Sequence, residues 1–279
     1  MNTCDICLEE TCNGKHNCNC CTCKVATECP RFLHPTVRIT NRCTQSCSHC
    51  CFASSPKSNI MMSIDKAKDI ALFFRNNNIR SVNLMGGEFF CNPHWYEIFD
   101  IILSEVISAR LVTNGDWANN EEVKTKLTTL INKYSNIVRF AISKDRWHTN
   151  KNVEDATTFL DSLNAKYHIT ESKEATDASI VPIGRAVWQG TFYSVLGCYC
   201  HNSMNKYSFL IDENGSIYKC PFGMWKYADV KDYLDGNFAQ RFKEYNTKFY
   251  GIFIPSCSAC VKTILFSKKD GEEYCVSRI

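Results

Sequence analysis

The sequence contains no run of 18 apolar residues, which is about the length that a helix needs to cross a bilayer. Its first residues, Met1 to Asp5, lack the cationic start and the apolar core of a secretion signal. Basic residues form no dense stripe, and 32 Lys plus Arg against 29 Asp plus Glu leave a net charge of +3. These absences argue against a membrane span and against nucleic acid as the main partner, and they predict a cytoplasmic protein.

Cysteine is the residue that the chain has in excess, with 19 among 279 residues. A reducing cytosol disfavours disulfides, so the ligation of metal ions or iron–sulfur clusters is the simplest account of so many thiols. The length and the 44% hydrophobic content suffice for one barrel-sized domain and a small appendage.

Three of the cysteines, Cys43, Cys47 and Cys50, stand close together with the spacing C-x3-C-x2-C. Three thiolates can hold three irons of a cubane [4Fe-4S] cluster, which usually has four cysteine ligands. The fourth iron then keeps an open coordination position, and an open position distinguishes reactive metal centres from structural ones. A zinc knuckle or a disulfide knot is the alternative interpretation of such a cysteine cluster.

With this motif the chain resembles the radical S-adenosylmethionine (SAM) superfamily, whose motif follows the first strand of a partial β/α barrel. The resemblance implies that the open iron chelates the amino and carboxylate groups of SAM. A reduced cluster then splits SAM into methionine and a 5′-deoxyadenosyl radical, and the protein positions that radical against one C–H bond. Gly86, Gly87 and Glu88 match the family's G-G-E element. Two glycines allow a close backbone approach to a ligand, and Glu88 is expected to hold the SAM ammonium.

Strand-like and helical segments alternate along the middle of the chain, which predicts a parallel sheet with crossover helices. The predicted strands are residues 37–40, 79–85, 110–113, 137–142, 167–170 and 179–181. Predicted helices begin after Ser63, at Asn92-Pro93, near Glu121 and at Val153. Six units are too few for a closed eight-stranded barrel. The expected fold is therefore α/β, a partial (β/α)6 TIM-type barrel, which agrees with the resembled family.

In barrels of this type, functional residues collect at the carboxyl ends of the strands. This rule adds Asn114, Ser143 and Arg185 as candidate SAM-binding residues, with turn residues or surface ion pairs as the alternative. The resemblance implies a polar contact from Ser143 to the SAM ribose or carboxylate, and the guanidinium of Arg185 suits a carboxylate. Trp147 and His148 lie just beyond the fourth strand and either face the substrate or anchor the surface.

A hairpin is predicted near the C-terminus, from residues 207–211 and 216–219 joined by Asp212-Glu213-Asn214-Gly215. The cysteines around it resemble the SPASM and Twitch extensions of radical SAM enzymes, which hold auxiliary [4Fe-4S] clusters. The resemblance implies four ligands: Cys200, Cys220, Cys257 and Cys260. Cys198 competes with Cys200, and a structural zinc competes with the cluster. Only Cys275 follows residue 260, which favours the shorter Twitch form with one auxiliary cluster.

The resemblance does not extend to the first 33 residues, which hold eight cysteines. This segment is too short and too polar for a core of its own, so metal or cluster binding would have to supply its folding free energy. Its candidate ligands for a further cluster or a zinc site are Cys4, Cys7, Cys18, Cys21, Cys23 and Cys29. A mobile thiol-rich arm is the alternative. Three regions result: an arm (1–33), the barrel (34–190) and a small hairpin and helix domain of the Twitch type (191–279).

The predicted function is that of a radical SAM enzyme that abstracts a hydrogen atom from a substrate and receives electrons from a donor such as flavodoxin or ferredoxin. Families with such extensions mostly crosslink, epimerise or oxidise peptides or proteins, so a peptide is the expected substrate. A small molecule such as a sugar or a nucleoside is one alternative, and a non-catalytic redox module is another. Epimerisation would need a free thiol, for which Cys91, Cys275 and Cys51 are candidates, although each is otherwise a small core residue.

Overall fold

The computed structural model describes residues 33–170, 185, 208–219, 226–242 and 244. The cysteines predicted to bind an N-terminal or an auxiliary cluster lie outside these residues, and so does the sixth predicted strand at 179–181. The division of the chain into three regions therefore stays a prediction.

One eight-stranded sheet organises the described residues. Its strands are β1 (His34–Arg38), β2 (Ser81–Met85), β3 (Ser108–Thr113), β4 (Val138–Ser143), β5 (Lys166–Thr170), β6 (Ser208–Ile211), β7 (Ser216–Tyr218) and β8 (Lys226–Asp229). Their order is β5-β4-β3-β2-β1-β6-β7-β8. All pairs from β5 to β6 are parallel, whereas β6, β7 and β8 are joined by antiparallel pairing. The predicted α/β class with a parallel, unclosed sheet is confirmed.

Four helices connect the parallel strands and cover the sheet: α1 (Ile64–Asn76), α2 (Trp95–Leu103), α3 (Glu121–Tyr134) and α4 (Val153–Ser162). Three short 3-10 segments also occur, at Phe89–Cys91, Asp116–Asn119 and Val230–Tyr233. The Ser63 side chain accepts a hydrogen bond from the Lys66 backbone N–H, and Asn120 caps α3 in the same way through Val123. Each cap satisfies an N–H group that the first turn leaves without a partner.

The core lies between the helices and the sheet. Ile70, Phe73 and Phe74 of α1 are fully buried, and so are Leu84 of β2 and Phe140 of β4. Burial of an apolar side chain of this size contributes about 1.5–3 kcal/mol. Apolar residues at helical spacing therefore fix the helices onto the sheet and align the carboxyl ends of the parallel strands at one edge.

The start of α2 differs from its prediction. The helix begins at Trp95, and Asn92 is not its cap. Asn92 is instead completely buried, and its amide donates hydrogen bonds to the backbone carbonyls of Ile39 and Met62. A buried amide that finds two carbonyls satisfies more polar groups than a helix cap would, so tertiary contacts override the local capping signal.

The predicted hairpin is confirmed as β6 and β7, but it continues the main sheet. β6 pairs in parallel with β1, with Thr36 opposite Leu210. The third strand of this part, β8, is not predicted from the sequence. No helix in the described parts of the chain combines the length and the apolarity needed to span a membrane.

Candidate functional site

The three motif cysteines lie in an irregular loop, residues 43–54, that follows β1. Two isolated bridges close the neck of this cysteine loop, Thr40 with Met61 and Arg42 with Ser55. Inside the loop, the Cys50 N–H donates to the Cys47 carbonyl over 3.2 Å, which forms a tight turn between two of the cysteines. The loop therefore holds its shape through a closed neck and local turns.

A cavity of about 190 Å³ lies between this loop and the carboxyl ends of β2, β3 and β4. All three motif cysteines line it, together with several of the predicted SAM-binding residues. Its remaining lining residues are Gln45, His49, Cys51, Phe52, Ser54, Met85, Gly86, Gly87, Val112, Thr113, Asn114, Ser143 and His148. Residues far apart in the sequence thus meet at the strand ends, as the barrel rule predicts.

The three motif thiols are available to bind a metal ion or a cluster, because Cys43, Cys47 and Cys50 are free of disulfide bonds. Burial raises the pKa of Cys43 to about 12 and that of Cys47 to about 11. A bound metal ion or cluster would stabilise the thiolate forms of these side chains.

The two glycines after β2 permit a close contact between two backbone segments. The Gly87 N–H donates to the Thr40 carbonyl over 2.8 Å, and the Glu88 N–H donates to the Arg42 carbonyl over 2.9 Å. A Cβ on Gly87 would lie 2.4 Å from the Arg42 carbonyl oxygen, and one on Gly86 would lie 2.8 Å from a methyl group of Thr40. Both glycines also line the cavity, so they serve the neck of the cysteine loop and its open face.

The Glu88 carboxylate is buried beneath the site and is not among the lining residues of the cavity. Its Oε1 accepts a hydrogen bond from the Thr113 hydroxyl, and its Oε2 accepts one from the Asn114 N–H, both over 2.8 Å. Burial raises the pKa of Glu88 to about 7. This carboxylate connects the ends of β2 and β3, and its predicted contact with the SAM ammonium stays a prediction.

Polar side chains after β3 hold the first half of the cysteine loop. The Asn114 amide donates to the Thr44 hydroxyl over 3.0 Å, and its nitrogen lies 3.9 Å from the Cys43 sulfur. The Asp116 carboxylate accepts hydrogen bonds from both Thr44 and Gln45. Sequence reasoning missed Thr44, Gln45 and Asp116, because the unspecified positions of the motif show no partner until the fold is known.

Gln45 lies between the loop and the segment after β4. Its Nε2 donates to Asp116 and Thr149, and its Oε1 accepts from the Thr149 N–H. The same oxygen lies 3.4 Å from the Cys47 sulfur. The side-chain amide is thereby fixed on both sides, next to one of the thiols.

Arg185 holds the second half of the loop. Its guanidinium donates to the carbonyls of Cys47 and Ser54, and its backbone N–H donates to the Cys50 carbonyl over 3.0 Å. Arg185 was predicted to face the SAM carboxylate. The structure places it against three backbone oxygens of the cysteine loop, and a contact with SAM stays a prediction.

A group of rings and one carboxylate borders the cavity beside Cys50. The His49 ring meets the His148 ring edge to face, with centroids 5.1 Å apart, and it lies 5.9 Å from the Trp147 ring. The His148 Nδ1 is 2.9 Å from the Asp145 carboxylate. His49 Nδ1 is buried and has no hydrogen-bond partner among the described residues. Burial lowers the pKa of His49, so its ring is neutral and offers an unsatisfied polar atom to a ligand.

The free-thiol candidates differ in position. Cys51 lines the cavity, whereas Cys91 is half-buried and is not among the lining residues. Burial raises the pKa of Cys91 to about 11. Cys275 and all candidate ligands of an auxiliary or N-terminal cluster are outside the described residues.

Comparison with known proteins identifies relatives of this chain. The alignment with AlbA of Bacillus subtilis (strain 168), an antilisterial bacteriocin subtilosin biosynthesis protein, shows 30% identity over 131 residues and covers 47% of this chain and 28% of AlbA. YydG of the same strain, whose name assigns it provisionally to peptide biosynthesis, is 26% identical over 147 residues, with 52% of this chain and 43% of YydG covered. The matches therefore span less than half of either relative.

Solved structures share the fold at low identity. BtrN in complex with AdoMet and 2-DOIA superimposes with a TM-score of 0.55 at 13% identity, covering 77% of this chain and 86% of that chain. Native anSMEcpe with bound AdoMet superimposes with a TM-score of 0.50 at 12% identity, covering 76% of this chain and 82% of that chain. The family model described as the Radical SAM superfamily matches residues 37–176, half of the chain, and this stretch includes the cysteine loop. The chain belongs to the radical SAM superfamily.

Proposed function

We propose that the protein cleaves SAM reductively and uses the resulting radical to abstract a hydrogen atom from a peptide. The observation that carries the proposal is the convergence of Cys43, Cys47 and Cys50 on one cavity at the strand ends. When bound, a [4Fe-4S] cluster with SAM supplies the one-electron chemistry that forms the 5′-deoxyadenosyl radical.

The residues around the cavity would bind and orient the cofactors. Cys43, Cys47 and Cys50 would hold the cluster, and no fourth cysteine of the motif completes the set. Gly86, Gly87, Asn114 and Ser143 would face SAM, because all of them line the same cavity. His49 also lines the cavity, and its unsatisfied Nδ1 offers a further hydrogen bond. The walls thus supply several polar groups around a partly apolar space, which suits a ligand of mixed polarity.

The surrounding contacts preorganise the cysteine loop. Asp116 and Gln45 fix one half of the loop, and Arg185 fixes the other half through backbone carbonyls. A reactive radical requires its target within van der Waals reach, so small displacements of the loop would lower turnover strongly. The residues that hold the loop therefore belong to the functional site, although none of them needs to touch SAM.

A peptide is the favoured substrate because the names of both curated relatives refer to the biosynthesis of a bacteriocin or a peptide. We include in the proposal one auxiliary [4Fe-4S] cluster, bound by Cys200, Cys220, Cys257 and Cys260. It would accept an electron from the substrate radical or anchor the peptide. An external flavodoxin or ferredoxin would supply the reducing electron, and residues 1–33 would form a separate cysteine-rich region.

The first step is tested with anaerobically reconstituted protein, SAM and dithionite, with 5′-deoxyadenosine and methionine as the measured products. The proposal predicts both products in equal amounts from the wild-type protein. A matched control replaces all three motif cysteines by alanine and leaves the other 16 in place. Absence of 5′-deoxyadenosine from a wild-type protein with its cluster intact would refute the proposal.

The substrate class is tested with a short peptide encoded beside the gene. Crosslinking or oxidation removes two hydrogen atoms and lowers the peptide mass by about 2 Da, whereas epimerisation in D2O raises it by about 1 Da, because a solvent-derived deuterium enters at the radical carbon. Mass spectrometry after incubation with SAM and reductant distinguishes these outcomes. SAM cleavage that no peptide stimulates, combined with oxidation of a sugar or a nucleoside, would favour the small-molecule alternative.

A further inference from the structure

A buried ion pair connects the hairpin of β6 and β7 to the first strand of the sheet. The Arg38 guanidinium donates two hydrogen bonds of 2.9 Å to the two carboxylate oxygens of Glu213. The two side chains are only 6% and 0% exposed. Such a pair is costly to bury and has a fixed, two-pronged geometry, so it sets the position of the guanidinium closely.

The carboxylate side of this pair is itself held rigidly. Asp212, next to Glu213, accepts hydrogen bonds from the backbone N–H groups of Asn214 and Ser216 and from the Tyr218 hydroxyl. The turn therefore presents Glu213 from a network of hydrogen bonds within the hairpin.

The guanidinium side of the pair reaches the cavity through one aromatic ring. The Arg38 Cζ lies 4.5 Å from the centroid of the Phe52 ring, a distance at which a cation is attracted to the face of an aromatic ring. Phe52 follows Cys50 and Cys51 in the cysteine loop, and it lines the cavity. Glu213, Arg38 and Phe52 thus form a continuous chain of contacts from the hairpin to the proposed SAM site.

We propose that Arg38 is a positioning residue that holds the Phe52 ring against the bound SAM, and that Glu213 of the hairpin fixes Arg38 for this task. The proposal rests on the proposed function and deepens it, because it links the hairpin of residues 208–218 to Phe52 in the wall of the proposed SAM site. A ring that contacts SAM equally before and during cleavage contributes to binding and not to the rate of the chemical step.

The central test replaces the pair by apolar residues of similar volume, R38M together with E213L. A buried ion pair replaced in this way usually leaves the folded state as stable as before, so the ring loses its cation while the fold is kept. We expect the KM for SAM in reductive cleavage without peptide to rise about fivefold to twentyfold, which is the range of cation–π attraction. The kcat should stay within about twofold of the wild-type value.

Two further variants make the result specific. F52L should raise the KM by a similar factor, and adding F52L to the R38M/E213L protein should raise it no further, because the two changes remove the same contact. R75M/E105L removes an ion pair far from the cavity and should leave the KM unchanged. If the R38M/E213L protein does not fold, R38K takes its place, because lysine keeps the positive charge but loses the two-pronged hydrogen bonds to Glu213 that fix the guanidinium.

An unchanged KM in F52L, or in R38M/E213L or the R38K protein that replaces it, would overturn the inference. An equal loss of kcat and cluster content would also overturn it, because Arg38 would then act only on the fold. A wild-type protein that neither binds nor cleaves SAM would refute the proposed function instead. A second measurement observes the Phe52 ring directly, through the 19F resonance of 4-fluorophenylalanine incorporated at position 52. This resonance should be single and sharp in the protein with the ion pair and broadened or split in R38M/E213L. Identical spectra of the two proteins would overturn the inference.

Discussion

The frame of helices and strands from residue 64 to residue 162 and the cysteine loop at residues 43–54 are stabilised in different ways. The frame buries apolar side chains at regular spacing, among them Leu127 and Phe140, which are fully buried. The loop has no regular secondary structure, and contacts made by residues outside it fix its shape, such as the hydrogen bonds from Arg185. The frame therefore carries most of the apolar core, whereas the loop carries the residues of the proposed chemistry. Substitutions should be able to affect one part without the other.

The largest effect is expected from Cys43→Ala in the loop. The variant would lose one of the three proposed cluster ligands, and we expect SAM cleavage to fall by at least about a thousandfold, while the frame keeps its fold. Iron content and 5′-deoxyadenosine formation under anaerobic conditions provide the measurement. Cys91→Ala is the matched control, because this thiol lies outside the cavity lining and its loss should leave uncoupled cleavage unchanged. Equal activity in both variants would contradict the assignment of the loop.

The next effect is expected where loop and frame touch. Gly87→Ala brings a Cβ to 2.4 Å from the Arg42 carbonyl oxygen, and the backbone contact must open to relieve the clash. We expect a loss of about 3 kcal/mol or more in the free energy of unfolding, together with reduced cluster retention. Gly115→Ala is a milder control that costs about 1–2 kcal/mol, because its φ of 83° is left-handed but its nearest neighbour lies at 3.5 Å. A Gly87→Ala protein with normal stability and a full cluster would contradict this contact.

A change in the frame should have the opposite signature. Leu127→Ala removes a fully buried side chain from α3 and should cost about 3 kcal/mol in the free energy of unfolding. The KM for SAM and the specific cleavage activity of the folded fraction should stay at the wild-type level. Lys126→Ala at the adjacent, partly exposed position removes only a surface ion pair with Glu122 and should change the stability by less than about 0.5 kcal/mol. Thermal unfolding and SAM cleavage measured on the same samples test the separation, and a selective loss of SAM affinity in Leu127→Ala would break it.

The smallest of these effects concerns the pH dependence of stability through Glu88. The pKa of Glu88 in the folded protein is about 7, above the usual value of 4.5. The contribution of Glu88 to the free energy of unfolding is therefore fully present below pH 4.5 and is lost as the pH rises toward and through 7. Between pH 5 and pH 8, we expect the wild type to lose about 2–3 kcal/mol relative to Glu88→Gln, which cannot ionise. Thermal unfolding of both proteins across this range gives the difference. A difference that does not change with pH would contradict the raised pKa.

The sequence predicted well what depends on local periodicity. The apolar spacing in α1 and α3, the Ser63 cap and the Gly215 turn of the hairpin specify their elements without long-range information. The position of the motif cysteines at a strand end followed from the barrel rule.

The features that were missed depend on neighbours distant in sequence. Asn92 reads as a helix cap, but it satisfies two buried carbonyls 30 and 53 residues away. The roles of Gln45 and Asp116 cannot be predicted from the sequence, because their hydrogen bond joins the loop after the first strand to the segment after the third strand. The hydrogen bonds of Arg185 to backbone oxygens of the cysteine loop were likewise not predicted, while its contact with the SAM carboxylate stays a prediction. Polar contacts of this kind follow from the tertiary fold, which periodicity does not determine.

One spectroscopic measurement tests most directly whether a cluster at Cys43, Cys47 and Cys50 binds SAM through its fourth iron. Electron–nuclear double resonance of the reduced protein with SAM labelled by 15N at the amino group should show a hyperfine coupling from that nitrogen. The coupling should vanish when the three cysteines are replaced by alanine. A reduced, intact cluster at these cysteines that shows no coupling to the labelled nitrogen would contradict the account.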